Sequence, residues 1–200
     1  LIGINDRSTI PAHRRTVRKR GFSMLKTILV ATDGSDHAGK ALGLAADLAA
    51  RYGARLVLLH VLMSNARSET LQALADRKRL PKELAERLES YEADFQTAMM
   101  SAGGATGYVP APPPPELLTA IGKQLLEDAE AAARKAGVKE VSTVTYGGDA
   151  ADAILECADK EKADMIVLGS RGLSDLKGFF LGSVSHKVSN HASCTCVTVK

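Results

Sequence analysis

The stretch Ala163-Asp164-Met165-Ile166-Val167-Leu168-Gly169-Ser170-Arg171-Gly172 runs, after nine further residues, into Gly182-Ser183. An apolar run of strand length ends here in glycines, and the next periodic segment, Gly182 to Asn190, has the length of a short helix. A buried strand, a glycine-punctuated loop over Gly169 to Leu181 and a helix start are the parts of a phosphate-binding turn in α/β proteins. The glycines allow positive φ and close backbone approach, and the free N–H groups of the helix start, with the Ser183 hydroxyl, suit phosphate oxygens. On spacing alone these glycines could equally be turn residues, so the rest of the chain has to decide.

Working outward, Cys194 to Val199 reads as the last strand. Upstream, Asp149 follows Gly147 and Gly148 and is placed to cap a helix through Lys160, with Asp152 adding favourable charge in the first turn. Before it lie a strand near Glu140 to Thr145 and a helix from Glu116, with Leu117, Leu118, Ile121, Leu125, Ala129, Ala132 and Ala136 on one side and a stop at Gly137. At the other end, Lys26 to Thr32 predicts a strand closed by Asp33-Gly34-Ser35. Ser35 caps a helix carrying Ala38, Ala41, Leu42, Ala45, Leu48, Ala49 and Tyr52, Gly53 ends it, and Arg55 to Leu62 forms the next strand. Strands alternating with helices imply a doubly wound α/β domain: a parallel sheet covered on both faces, with ligands at the carboxyl ends of its strands.

The alternation breaks over Met63 to Pro115. Charged helical patterns at Glu69 to Lys78 and Lys82 to Met100 suggest an inserted helical hairpin. Its Arg77, Lys78, Arg79, Glu83, Glu86, Arg87, Glu89 and Glu92 intersperse both signs, as a solvated face does, although a surface for an unknown protein partner is also open there. Gly103, Gly104, Gly107 and the prolines 112 to 115 then read as an extended linker.

Charge bears on partners. The chain has 200 residues and a formal net charge of +3, but six of its 26 basic residues and one of its 23 acidic ones lie in residues 1–23, leaving 20 against 22, a net of −2, for the rest. The domain has no basic excess to neutralise a phosphodiester backbone, so nucleic acid is not an expected partner. The basic tail, 1–23, is expected to be disordered or not native, with the domain over 24–200; a presequence is the sharper alternative for the tail, but it lacks an apolar stripe. No apolar run approaches a bilayer span, so no membrane association is expected. Three cysteines, Cys157, Cys194 and Cys196, have no framework spacing and suit a reducing compartment, the cytoplasm. The Cys194–Cys196 pair lacks the further ligands that zinc needs and reads as buried small apolar filler.

A second candidate element stands at the end of the first strand, where Asp33 can accept hydrogen bonds from ribose or adenine, hold a metal through water, or simply serve as a turn and cap residue. With the glycine loop it would face one crevice across the switch point. His60, His37 and His186 read as hydrogen-bonded packing, and Lys177 as pointing to water. No catalytic set emerges: there is no Gly-x-Ser-x-Gly elbow, no His-Glu-x-x-His and no Walker lysine. Whether the protein is an enzyme stays open, with slow turnover as the most to be expected.

Ile28-Leu29-Val30-Ala31-Thr32-Asp33-Gly34-Ser35, the strand end Leu58-Leu59-His60-Val61, Met165 through Gly172, and Leu181-Gly182-Ser183-Val184-Ser185 together resemble the universal stress protein family, over Met24 to Lys200 except the insert. The Gly-x2-Gly-x9-Gly-Ser pattern is similar to that family's ATP-binding branch. The resemblance implies a five-stranded parallel sheet of order 3-2-1-4-5 and a homodimer through the last strand. It also implies ATP, with Mg2+ or Mn2+, as the ligand of a nucleotide-dependent stress or regulatory sensor. Adenine and ribose would lie near Ala31, Thr32, Asp33 and Val61, above Leu168 and Gly169. The phosphates would lie against Gly172, Gly182, Ser183, Val184 and Ser185; Arg171, in the glycine loop, could add charge to them or point to water, and no side chain is implied as a metal ligand. The rival readings are a weak ATPase or autophosphorylating protein using Ser183 or Ser185, and a nucleotide-free dimeric interaction module.

Overall fold

The computed structural model describes residues 25–62, 80–101, 112–173 and 181–200. Among these residues five strands and five helices follow in chain order: β1 (Thr27–Ala31), α1 (Asp36–Tyr52), β2 (Arg55–Leu62), α2 (Lys82–Ser101), α3 (Pro115–Lys135), β3 (Val141–Gly147), α4 (Ala150–Glu161), β4 (Met165–Gly169), α5 (Ser183–His191) and β5 (Thr195–Val199). All strand pairings are parallel and the sheet order is β3-β2-β1-β4-β5, as expected.

The continuous apolar runs of β1, β2 and β4 are explained by burial on two faces. Alternate residues point to opposite sides, so Ile28, Val30, Leu56, Leu58 and Val167 pack under α1 and α3, whereas Leu29, Val57, Leu59, Ile166 and Leu168 pack under α4 and α5. Helix α1 meets the sheet through Ala41, Ala45, Ala46 and Ala49, whose small side chains let it lie close. Tyr52, expected on that face, is 55% exposed, and on α3 the buried stripe runs through Ala129 and Ala133 rather than Ala132 and Ala136.

The punctuation is local chemistry. Ser35 Oγ accepts the Ala38 N–H at the start of α1, and Gly53 ends that helix in the left-handed region at φ 67°. Asp149 caps α4 by accepting the Ala151 and Asp152 N–H groups. Pro115, expected in the linker, is instead the first residue of α3, where its missing N–H costs nothing.

Helix α2 is not an independent arm. Leu84 and Leu88 are buried against Leu117, Ile121 and Leu125 of α3, a third apolar cluster outside the two sheet cores. The other arm expected at Glu69 to Lys78, the glycines at 103, 104 and 107, and Lys177 lie outside the described residues. No helix among the described residues is long and apolar enough to cross a membrane.

Candidate nucleotide site

The strand order reverses direction between β1 and β4, which opens a crevice at their carboxyl ends. Ala31 is the last residue of β1 and packs against the α4–α5 core with Val61 and Leu168, which are buried. Thr32 and Asp33 follow. Asp33 Oδ1 accepts the Ser35 N–H at 2.9 Å, and Oδ2 accepts the Leu173 N–H at 3.0 Å, so the carboxylate ties its own turn to the loop that leaves β4.

Of the two properties expected of these glycines, positive φ and close backbone approach, the first is not used. Among the described residues the positive-φ positions are Gly34, Gly53, Gly137, Gly148 and Lys162, and none of Gly169, Gly172 and Gly182 belongs to them. At Gly169 and Gly172 the close approach is to other parts of the protein. A Cβ on Gly169 would stand 2.8 Å from the Ala38 nitrogen and the His37 carbonyl carbon, because the end of β4 lies directly against the start of α1. A Cβ on Gly172 would be 2.6 Å from Asp33 Oδ2. At Gly182 the nearest atom among the described residues would be Ser170 O at 3.4 Å, an ordinary contact for a β-carbon. The positive φ the site does use is at Gly34, 80°, within the Asp33 turn.

Gly182 is the N-cap of α5 and contributes no side-chain cap, and the first turn holds no acidic residue. Ser183 and Val184 are exposed there. The helix start therefore presents N–H groups and the positive end of its dipole without an internal anion. Ser185, expected beside phosphate, is 4% exposed and its hydroxyl is turned inward, 2.9 Å from Ser170 O and 3.0 Å from Gly182 O. Ser170 O also accepts the Gly182 N–H at 2.8 Å, so α5 begins pinned to the end of β4. Arg171 extends toward α1, with Nη2 3.5 Å from His37 Nε2.

One residue of the site is not picked out by sequence. Ser170 is 1% exposed and its Oγ, also buried, has no hydrogen-bond partner among the described residues. Such a group is uncommon in a folded interior, and a serine following a glycine in a loop carries no signal of it. His60 bonds Thr32 O through Nδ1 at 2.8 Å, in keeping with a packing role, and burial pushes its pKa below the ordinary value, partly offset by that bond and by the Asp33 charge. His186 departs from the packing expectation, being exposed and bonded to Asn190. Cys194 and Cys196 are only half-buried, unlike the filler expected, while Cys157 is fully buried.

A five-stranded sheet with the Rossmann strand order, less its sixth strand, and a crevice between β1 and a glycine-lined β4 turn, defines a doubly wound α/β protein. Within that class the chain belongs to the universal stress protein family, whose model matches residues 24–200. It is 33% identical over 181 residues to the universal stress protein YxiE of Bacillus subtilis, a match covering 88% of this chain and 100% of the relative. In fold it is similar to a universal stress protein crystallised in complex with cAMP, at a TM-score of 0.52 and 24% identity, covering 88% of this chain and 96% of the other. It is similar also to a universal stress protein from Archaeoglobus fulgidus in complex with dAMP, at a TM-score of 0.51 and 23% identity, covering 88% and 99%.

Proposed function

We propose that the β1–β4 crevice binds ATP and that the protein acts as a nucleotide-dependent stress or regulatory sensor. The observation that carries this reading is the segment from Ser170 to Leu173, held at one end by the start of α5 and at the other by Asp33. It joins an uncapped helix start, suited to phosphate, to a carboxylate suited to ribose hydroxyls, beside the apolar residues Ala31, Val61 and Leu168, suited to a base. The buried Ser170 hydroxyl, unpartnered among the described residues, fits a site with polar capacity to spare. The cAMP and dAMP complexes of fold neighbours favour an adenine nucleotide over other anions.

In this reading Gly172, Gly182, Ser183 and Val184 face the phosphates, and Ser185 acts by fixing the helix start rather than by donating to them. Mg2+ or Mn2+ would be held through phosphate oxygens and water; among the described residues no three His, Cys, Asp or Glu side chains converge to hold a metal ion. The sensor is cytoplasmic and homodimeric through β5, an edge strand whose Val197 and Val199 are half-buried.

Autophosphorylation is the second reading, favoured at Ser183 over Ser185 because Ser183 is exposed at the helix start and the Ser185 hydrogen is engaged. The Ser183 oxygen would form the new bond to the γ-phosphorus of ATP, ADP would leave, and the hydroxyl proton would pass to water.

Calorimetric titration of the full chain with ATP and magnesium tests the proposal, alongside Gly182→Val, which places bulk where phosphate would approach. Saturable binding that is abolished in the variant, with circular dichroism unchanged, is expected. No binding to the parent at millimolar ATP overturns the nucleotide reading and leaves a dimeric interaction module.

A further inference from the structure

β1 leaves its ladder with β2 at the pair Ala31–Leu59, and one residue later Thr32 still donates its N–H to Leu59 O at 2.8 Å. The Thr32 carbonyl lies beyond the ladder, and a carbonyl shielded from water needs a donor. A side chain supplies it: His60 Nδ1 is 2.8 Å from Thr32 O, and because a carbonyl can only accept, Nδ1 carries the hydrogen.

Side-chain alternation puts His60 on the sheet face of Leu56 and Leu58, opposite Val61. There α3 covers it. A Cβ on Gly122 would stand 2.6 Å from His60 Cδ2 and 3.1 Å from Nε2, so the ring occupies the space that only glycine leaves. Pinned on one side by a carbonyl and on the other by a helix backbone, the 4%-exposed ring has little freedom to turn. What it pins is the base of the Asp33 turn: Thr32 Oγ1 accepts the Gly34 N–H at 3.3 Å, and Asp33 then reaches Ser35 and Leu173.

We propose that His60 is a positioning residue of the crevice, holding the Thr32 carbonyl so that Asp33 is presented to the ribose end of a bound nucleotide, and that Gly122 is the position on α3 that admits it. The proposal deepens the nucleotide reading and rests on it. His60 meets the site from the opposite face of the sheet, so it acts through Thr32 and not on the ligand.

The test uses the full chain with ATP–magnesium, inorganic tripolyphosphate, and amide exchange at Ser35 without ligand. His60→Leu removes the donor and should weaken ATP binding roughly 3- to 10-fold, the worth of one hydrogen bond. Tripolyphosphate, which lacks base and ribose, should bind as to the parent, a split that general destabilisation would not produce. His60→Asn places an amide donor where Nδ1 stands and should restore ATP affinity. Gly122→Ala should weaken ATP binding as His60→Leu does, although alanine favours the helix, and combining it with His60→Asn, which has no ring to displace, should relieve the loss. ATP affinity and Ser35 exchange unchanged in both His60→Leu and Gly122→Ala would overturn the proposal; if His60→Leu does not fold, Gly122→Ala alone decides. Should the parent bind no ATP, the nucleotide reading falls, and Ser35 exchange still decides whether His60 fixes the turn.

Discussion

One carboxylate at the end of β1 holds two segments far apart in sequence: Asp33 Oδ2 accepts the Leu173 N–H at 3.0 Å, while its Oδ1 accepts the Ser35 N–H at 2.9 Å. Gly172 approaches that carboxylate so closely that a Cβ would stand 2.6 Å from Oδ2. Gly172→Ala should therefore break the Asp33–Leu173 bond, and Asp33→Ala should lose both bonds, lowering stability by about 2 kcal/mol, as expected for hydrogen bonds to a charged, half-buried acceptor. Urea unfolding of the two variants checks the order: Asp33→Ala is the more damaging, and a Gly172→Ala protein as stable as the parent would contradict the close approach.

Asp149 has two roles at the start of α4. It accepts the Ala151 and Asp152 N–H groups as N-cap, and it meets Lys187 Nζ of α5 at 3.2 Å. Asp149→Ala should cost about 1 kcal/mol through the cap. Lys187→Ala removes only exposed ion pairs to Asp149 and Asp152 and should scarcely change the thermal midpoint. Equal losses from both substitutions would show that the ion pairs, and not the cap, secure α4.

His60 predicts a pH dependence. Burial holds its folded-state pKa below the ordinary 6.5, so under acid conditions the unfolded chain binds the proton more readily than the folded one. Stability should be unaffected by this group above about pH 7, fall as pH drops below 6.5, and level off below the depressed folded value. Chemical denaturation from pH 8 to 5 should show that slope, and His60→Asn should flatten it.

Cys157 lies on the buried face of α4, and burial, reinforced by Glu161, pushes its thiol up to about 11. Thiol titration of the native protein at pH 8 should count at most two groups, Cys194 and Cys196, with the third appearing only in denaturant. Three rapidly reacting thiols in the native protein would contradict the packing of this core.

Leu88 is 0% exposed between α2 and α3. Leu88→Ala should destabilise that contact by about 2–5 kcal/mol, enough to release α2 while the sheet stays folded. Hydrogen exchange is expected to rise in residues 82–101 and to stay low in β1, β2 and β4.

Much of this molecule is readable from residue types. Ser35, Gly53 and Asp149 announce their caps because each solves a local backbone problem within a few positions of itself. The apolar runs give the strands for the same reason, whereas the order of the strands came only through the family resemblance. What escaped depends on contacts distant in sequence. The charges of α2 suggest a solvated arm, yet Leu84 and Leu88 find α3 across a stretch of glycine and proline. Gly169 and Gly172 look like residues chosen for φ or for a ligand's approach, and only the proximity of His37 and Asp33 shows that the protein itself requires the absence of a side chain. Ser185 sits at the expected helix start, but which way its hydroxyl turns is decided by Ser170, fifteen residues earlier.

The contact between His60 and Gly122 also limits how this sequence can drift. While position 60 carries an imidazole, position 122 admits no β-carbon, although nothing in the helical pattern around it asks for glycine. A lineage that shortens residue 60 gains liberty at 122, and one that first adds a methyl group at 122 loses the ring's seat. The two sites, 62 residues apart along the chain, should therefore change in a fixed order, 60 before 122, and a library randomised at both should return them as a linked pair.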